Sequence, residues 1–312
     1  MLALIFPGQG SQRPGMGAPW QEHPSWAVVD QLSEATGRDI SCLLVEADAD
    51  ALRATRNAQL ATYALSLVAL DAARRGPLAA FGPEALVAAA GHSLGEYSAL
   101  VAVGALEASE GARLVRARGE AMQAAADANP GTMAAVLGLG VPEVAAACHE
   151  ADRAWVANDN TPAQVVVAGT QAGTEQAGQA ALRRGAKRVI ALQVGGAFHS
   201  PLMRSAQAPL DTAIGGTAFS GARCPVVANV DARPHTDGFA GLLSAQLCSQ
   251  VRWRESLDAL AALGTTLFVE LGPGTELSGM VRRTLPATAR ANVAGPADLD
   301  ALAAAIDALL AR

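Results

Sequence analysis

A serine held between two glycines, where an apolar run meets a helix-forming stretch, is placed to attack. Here it is Ser93, in Gly91-His92-Ser93-Leu94-Gly95-Glu96-Tyr97-Ser98-Ala99-Leu100, directly after Leu86-Val87-Ala88-Ala89-Ala90. Gly-x-Ser-x-Gly at a strand-to-helix turn is the nucleophile-elbow pattern. The turn is sharp and backbones crowd there, so side chains at positions 91 and 95 would collide, and the hydroxyl is pushed out above the sheet edge. The following helix aims its N-terminal dipole and free N–H groups at whatever the serine attacks. The competing reading is a tight turn whose serine only caps a helix.

An acyl-transferring serine needs a base. Of His23, His92, His149, His199 and His235, His199 has the most telling surroundings, in Gly195-Gly196-Ala197-Phe198-His199-Ser200-Pro201. Glycine-rich loops on a rigid scaffold are where catalytic groups concentrate. His199 is the expected base, against a structural histidine with its hydrogen bonds satisfied. His92 is presented by the elbow itself. A second glycine-rich turn, Phe6-Pro7-Gly8-Gln9-Gly10-Ser11-Gln12, follows the first apolar run. It is no dinucleotide fingerprint, because Arg13 follows rather than a third glycine. In a parallel sheet it faces the site-bearing edge, where a backbone N–H could join that of Leu94 as an oxyanion donor; a plain turn is the alternative. Arg118, in Arg116-Ala117-Arg118-Gly119-Glu120-Ala121-Met122-Gln123, could grip a carboxylate through two parallel hydrogen bonds, although an arginine on a helix is usually solvated.

The elements that must carry these residues alternate from the start. Apolar runs at Leu2–Phe6 and Leu86–Ala90 read as buried strands, and 57–75, 94–103 and 108–126 as helices. Continuous apolar strands separated by helices predict a mostly parallel sheet covered on both faces. Between them the order changes to strand 133–139, helix 142–150, strands 155–158 and 164–168, helix 172–184 and strand 189–194. That order is the ferredoxin-like split unit. The α/β pattern resumes with strand 226–229, helix 253–263 and strand 266–271, and Gly272-Pro273-Gly274 breaks the chain before another helix. The expected fold is α/β: a large discontinuous hydrolase-like domain of residues 1–127 and 195–312 with a parallel-rich sheet, and an inserted ferredoxin-like subdomain of 128–194.

Composition bounds the function. The chain has 312 residues, 51% apolar and 17% charged, which suits a compact globule rather than a disordered one. No stretch reaches the length of about 18 apolar residues that a membrane helix needs. A net charge of −6 disfavours nucleic acid as a partner. Local basic groups at Arg113, Arg116 and Arg118, at Arg183, Arg184, Lys187 and Arg188, and at Arg282 and Arg283 read mostly as solvated helix faces. One such patch could meet a phosphate or an acidic partner. Cys42, Cys148, Cys224 and Cys248 are scattered without a CxxC pair, so free thiols are the default. The opening Met1-Leu2-Ala3-Leu4-Ile5-Phe6-Pro7 has no basic leader and reads as a strand; a cytoplasmic location is expected. No histidine pair or acidic cluster has metal-ligand spacing, so neither metal nor cofactor is expected.

Taken in order, Pro-Gly-Gln-Gly-Ser-Gln around Gln9, the Gly-His-Ser-Leu-Gly-Glu-Tyr elbow, Arg-Gly-x-x-Met-Gln, Phe-His-Ser and the late Gly-Pro-Gly resemble malonyl-CoA:acyl carrier protein transacylases. These are fatty-acid-synthesis enzymes related to polyketide acyltransferase domains, and the resemblance runs from about residue 2 to 285. It implies a malonyl group passed from malonyl-CoA to the phosphopantetheine thiol of an acyl carrier protein, with Ser93 as nucleophile and His199 as base and acid. It further implies the N–H groups of Gln9 and Leu94 as oxyanion hole, Arg118 on the malonyl carboxylate, and the backbone carbonyl of Gln246 orienting His199. A Ser–His dyad then suffices. Gln59 matches a pocket-lining position, though alanine and leucine flank it where the family has Thr-Gln-Pro, and Asn160-Thr161-Pro162-Ala163-Gln164 replaces Asn-Ser-Pro-Gly-Gln. Leu94 and Phe198 resemble malonyl-preferring members, Phe198 being bulky enough to crowd an α-methyl branch. The rival readings are a trans-acting acyltransferase of a polyketide assembly line, a serine α/β-hydrolase and a non-catalytic docking module. The hydrolase class places its histidine near the C-terminus after an acid, and His199 lies far before it.

Overall fold

Leu2-Ala3-Leu4-Ile5-Phe6 is buried along its whole length and forms β1 (Leu2–Phe6), the centre of the larger sheet. This computed structural model describes residues 1–79 and 85–311; the parts of the expected large domain at 80–84 and 312 lie outside the described residues. After β1 come three short helices, α1 (Ala27–Thr36), α2 (Ile40–Val45) and α3 (Ala49–Arg53), and the long α4 (Thr55–Arg75). Then follow β2 (Leu86–Gly91), α5 (Gly95–Ala102) and α6 (Ala108–Ala128). The middle segment contributes β3 (Thr132–Leu137), α7 (Val141–His149), β4 (Ala154–Thr161), β5 (Gln164–Gly169), α8 (Gln171–Arg183) and β6 (Arg188–Ala191). The chain continues through α9 (Gln207–Gly215), β7 (Val226–Val227), β8 (Pro234–His235), α10 (Phe239–Gln246) and α11 (Trp253–Ala262). It ends with β9 (Leu267–Leu271), α12 (Glu276–Thr284), β10 (Ala289–Val293) and α13 (Asp298–Leu310).

The larger sheet has the order β10-β9-β1-β2-β7-β8. All its neighbours run parallel except the short β7–β8 pair. Strand alternation divides its residues between two cores. Leu2, Leu4, Phe6 and Ala89 face the helical layer that contains α4, α5 and α6. Ala3, Ile5, Ala88, Ala90 and Val227 face Trp253, Leu257 and Leu260 of α11 and Leu277 and Val281 of α12. Both faces are covered, which is why the strands read as unbroken apolar runs.

The smaller sheet is antiparallel, in the order β4-β5-β3-β6. Ala134, Val136, Val165 and Val167 pack under α7 and α8, while Met133, Ala135, Val166 and Ala168 turn into the main core. Its elements occupy 132–191, within the expected 128–194. Its outer strand β4 is stitched to the large body: Val251 N–H donates to Ala157 C=O at 2.8 Å, and Asp159 N–H to Val251 C=O at 2.9 Å. Arg254 adds an ion pair with Asp159 at 2.9 Å.

Three strands close earlier than the sequence pattern predicts, the one expected over 133–139 already at Leu137. The one expected over 189–194 closes at Ala191, and Leu192 and Val194 become walls of a cavity instead. The one expected over 226–229 closes at Val227, because Asn229 leaves the sheet to hydrogen-bond the elbow.

Candidate active site

The elbow forms where β2 runs into α5. Ser93 adopts φ 52°, a left-handed conformation that costs energy for a residue with a Cβ and is held only where the surroundings over-determine it. Gly91 and Gly95 are required sterically. A Cβ on Gly91 would overlap the Gly95 backbone, and one on Gly95 would overlap the Phe6 carbonyl of β1. The strained turn is anchored by Asn229, whose Oδ1 accepts from Ser93 N–H at 2.6 Å and whose Nδ2 donates to Gly91 C=O at 2.8 Å.

His199, also left-handed at φ 58°, reaches the same point from the loop after β6. Its Nε2 lies 2.7 Å from Ser93 Oγ, and its Nδ1 lies 3.1 Å from Gln246 C=O. A carbonyl can only accept, so Nδ1 carries the hydrogen and Nε2 is free to take the serine proton. Burial, with the positive charge of Arg118 adding to it, pushes the His199 pKa down to about 3.

Arg118 on α6 is 1% exposed rather than solvated. Its Nη1 donates to Gln59 Oε1 at 2.8 Å, and its Nη2 donates to Ser93 Oγ at 3.0 Å and Gln246 Oε1 at 3.1 Å. The guanidinium also lies 5.6 Å from the Tyr97 ring centroid. Its Nε–H meets no acceptor among the described residues. The other basic groups are separate from it: Arg113 and Arg116 pair on their own helix with Glu110 and Glu120, and Arg183 and Arg184 pair with Glu150.

Gln9, Gln59, Ser93, Arg118, Phe198 and His199 line one cavity of about 80 Å³, together with Met122, Met133 and Asn158. Leu94 is buried and stands at the start of α5. Among the described residues the N–H groups of Gln9 and Leu94 have no acceptor within the chain. Thus the structure brings together all eight residues singled out in the sequence, with Gln246 contributing its side-chain amide as well as its carbonyl. Among the described residues no group of three or more His, Cys, Asp or Glu side chains is disposed to hold a metal ion, and no helix is long and apolar enough to cross a membrane.

The family model for the acyl transferase domain matches residues 3–306. The chain belongs to the acyl transferase domain family. This acyl transferase domain is 40% identical, over 90% of its length and 90% of the relative's, to the malonyl CoA-acyl carrier protein transacylase of Bacillus subtilis. The crystal structure of an acyl-carrier-protein S-malonyltransferase from Burkholderia pseudomallei superposes on it with a TM-score of 0.90 at 37% identity, covering 96% of this chain and 99% of that one. A malonyl-transacylase solved in complex with its type II PKS acyl-carrier protein gives a TM-score of 0.91 at 32% identity, covering 97% and 99%.

Sequence reasoning assigned no role to three polar groups of this acyl transferase domain, although Glu96 and Asn160 stand within motifs quoted above. Glu96, Asn229 and Asn160 are each 5% exposed or less. Asn160 Oδ1 lies 2.9 Å from His92 Nε2, and so ties β4 of the small sheet to the elbow. Glu96 left a signal, a charge inside the apolar stretch that opens α5. Asn229 left a weaker one, a lone amide at the carboxyl end of a parallel strand, where such sheets place their sites.

Proposed function

We propose that this acyl transferase domain moves a malonyl group from malonyl-CoA to the phosphopantetheine thiol of an acyl carrier protein, through an ester on Ser93. One observation carries the reading: the Ser93 hydroxyl lies 2.7 Å from the neutral Nε2 of His199 and 3.0 Å from the buried guanidinium of Arg118. A base activates the hydroxyl, and a cation waits beside it for an acyl chain that ends in a carboxylate. The names of the relatives support the same assignment.

Ser93 Oγ attacks the thioester carbonyl as its proton passes to His199 Nε2. Charge collects on the carbonyl oxygen, where the free N–H groups of Gln9 and Leu94 are the donors in reach of the elbow. Collapse expels the CoA thiolate, which takes the proton from His199. The carrier thiol then gives its proton to His199 and attacks the ester, and the second collapse returns the proton to Ser93. A thioester is consumed and a thioester formed, so the chemistry needs no cofactor or metal. Gln59 and Gln246 hold Arg118 on two sides, and its unused Nε–H suits a carboxylate oxygen. We further propose residues 128–194 as an inserted subdomain over the site, and a cytoplasmic enzyme with neither nucleic-acid nor membrane partners.

A second reading, service to a polyketide assembly line, is favoured by the likeness to a transacylase solved with a type II PKS carrier. The chemistry is identical, and only the carrier differs. Intact-mass measurement tests both. Malonyl-CoA should leave one malonyl adduct on the wild type and none on Ser93→Ala, and holo carrier protein should discharge it. The carrier that discharges faster, fatty-acid or polyketide, assigns the pathway. A wild-type mass unchanged by malonyl-CoA overturns the proposal.

A further inference from the structure

Glu96 touches neither Ser93 Oγ nor His199, yet both depend on what it holds. Its Oε2 accepts from Gln246 Nε2 at 3.0 Å and from Asn229 N–H at 2.9 Å. Gln246 in turn supplies the carbonyl that fixes His199 Nδ1, the amide oxygen that receives Arg118, and a 3.0 Å bond from Nε2 to Ser93 C=O. Asn229 fixes the Ser93 N–H and the Gly91 carbonyl. The two supports come from distant parts of the chain, the end of α10 and the loop after β7. The carboxyl oxygen on α5 is where they meet. We infer that Glu96 is the positioning residue of this site: one buried oxygen that locks Gln246 and Asn229, and through them the strained backbone of the nucleophile and the orientation of the base.

The inference deepens the reading of Ser93 and His199 as an acylating pair. Acceptance, rather than charge, does the holding. Burial raises the Glu96 carboxyl to about 7, against the bonds from Asn229 and Gln246 and the charge of Arg118, which pull it down, and with Asp231 pushing it up, so the neutral form is populated at neutral pH. Both donors converge on the same oxygen, which glutamine can also offer.

The test uses two readouts. One is malonyl transfer; the other is inactivation by phenylmethylsulfonyl fluoride, which bonds to Ser93 Oγ with loss of fluoride and needs neither malonyl nor carrier. Glu96→Ala should lower kcat about 100-fold, as expected for reacting groups displaced by an ångström. KM for malonyl-CoA should stay near wild type, and sulfonylation should slow in parallel. Glu96→Gln should restore most of both rates. Glu96→Asp withdraws the oxygen by one methylene and should behave like alanine. A folded Glu96→Ala protein sulfonylated at the wild-type rate overturns the inference, and so does one in which only KM rises. If Glu96→Ala does not fold, Glu96→Asp decides, and wild-type sulfonylation by it overturns the inference. If the wild type takes up no malonyl group, the function proposed above falls while sulfonylation still judges Glu96.

Discussion

At Arg118 the chain keeps a cation out of water, which is stable only with acceptors around it. Burial lowers its pKa, with Tyr97 and Glu96 working against that. Arg118→Ala removes the donors to Gln59, Gln246 and Ser93 Oγ. The lost Ser93 contact affects every acyl donor alike, whereas the lost guanidinium affects only one with a terminal carboxylate. Breaking a buried charged pair costs about 2–5 kcal/mol, so the malonyl-to-acetyl ratio should fall at least about 30-fold. Competition between malonyl-CoA and acetyl-CoA for the enzyme measures it, and an unchanged ratio removes the carboxylate clamp. His199 carries a second expectation. With its pKa pushed down to about 3 by burial and then by Arg118, it stays neutral at every ordinary working pH. The acid limb of kcat/KM should therefore lie below about pH 5, well under the ordinary histidine value near 6.5. Acylation rates from pH 4.5 to 8 would show it, and a midpoint near 6.5 would contradict the burial argument. Phe198, 6% exposed, walls the same cavity. Opening that wall with Phe198→Ala should raise methylmalonyl relative to malonyl transfer by about tenfold or more, the scale of one methyl group in a pocket.

The strand–elbow–helix unit of β2 and α5 was legible because its constraints are local. Gly95 shows how strong they are. Inside a helix alanine normally outranks glycine by about 1 kcal/mol. Here a Cβ would strike the Phe6 carbonyl of the neighbouring strand. Gly95→Ala should thus destabilise by about 1–3 kcal/mol, the usual cost of overpacking, against the propensity. Urea unfolding gives the sign, and a stabilised variant would show the contact to be yielding. Elements with a strong apolar period, β1, β2, α4, α6 and the β3–β6 unit, were readable for the same local reason. Where legibility failed, tertiary contacts had decided. β10 is an outer strand of which only Val293 is fully buried, so Ala289-Arg290-Ala291-Asn292 carries no strand pattern. Leu192 and Val194 are as apolar as a strand but line a cavity. The site divided in the same way. Ser93, Gln9 and His199 sit on glycine-marked turns that announce themselves. Asn229 and the side-chain role of Gln246 exist only through partners more than a hundred residues away.

At the scale of the whole molecule, the cavity lies between the turns that follow β1 and β2 of the larger sheet and β3 and β4 of the smaller one, and residues from β4 brace the elbow through His92 and the α11 segment through Arg254. Building a site so deep inside leaves buried titrating groups of both kinds, and their effects on stability oppose each other. Burial raises Glu96 and Glu270 from 4.5 to about 7. Between those values the unfolded chain has released protons that the folded one still holds, so their contribution fades as pH climbs from about 4.5 to about 7. His92 and His199 are lowered from 6.5 by burial, so the unfolded chain binds protons that the folded one refuses, and stability recovers as pH rises toward 6.5. Glu270 separates the two trends because it lies away from the reacting atoms. Its oxygens accept from Leu277 N–H at 3.1 Å and Ser278 N–H at 2.7 Å, at the start of α12. Glu270→Gln keeps an acceptor there and removes the titration. Any fixed cost of the exchange is independent of pH, so the informative quantity is the variant's melting temperature minus that of the wild type. That difference should shift in the variant's favour from pH 4.5 to 7 and then level off, as the wild-type carboxyl is forced to ionise while the amide is not. Thermal melts at four or five pH values measure it, and a difference that stays flat or moves the other way would mean that Glu270 titrates as an ordinary carboxyl.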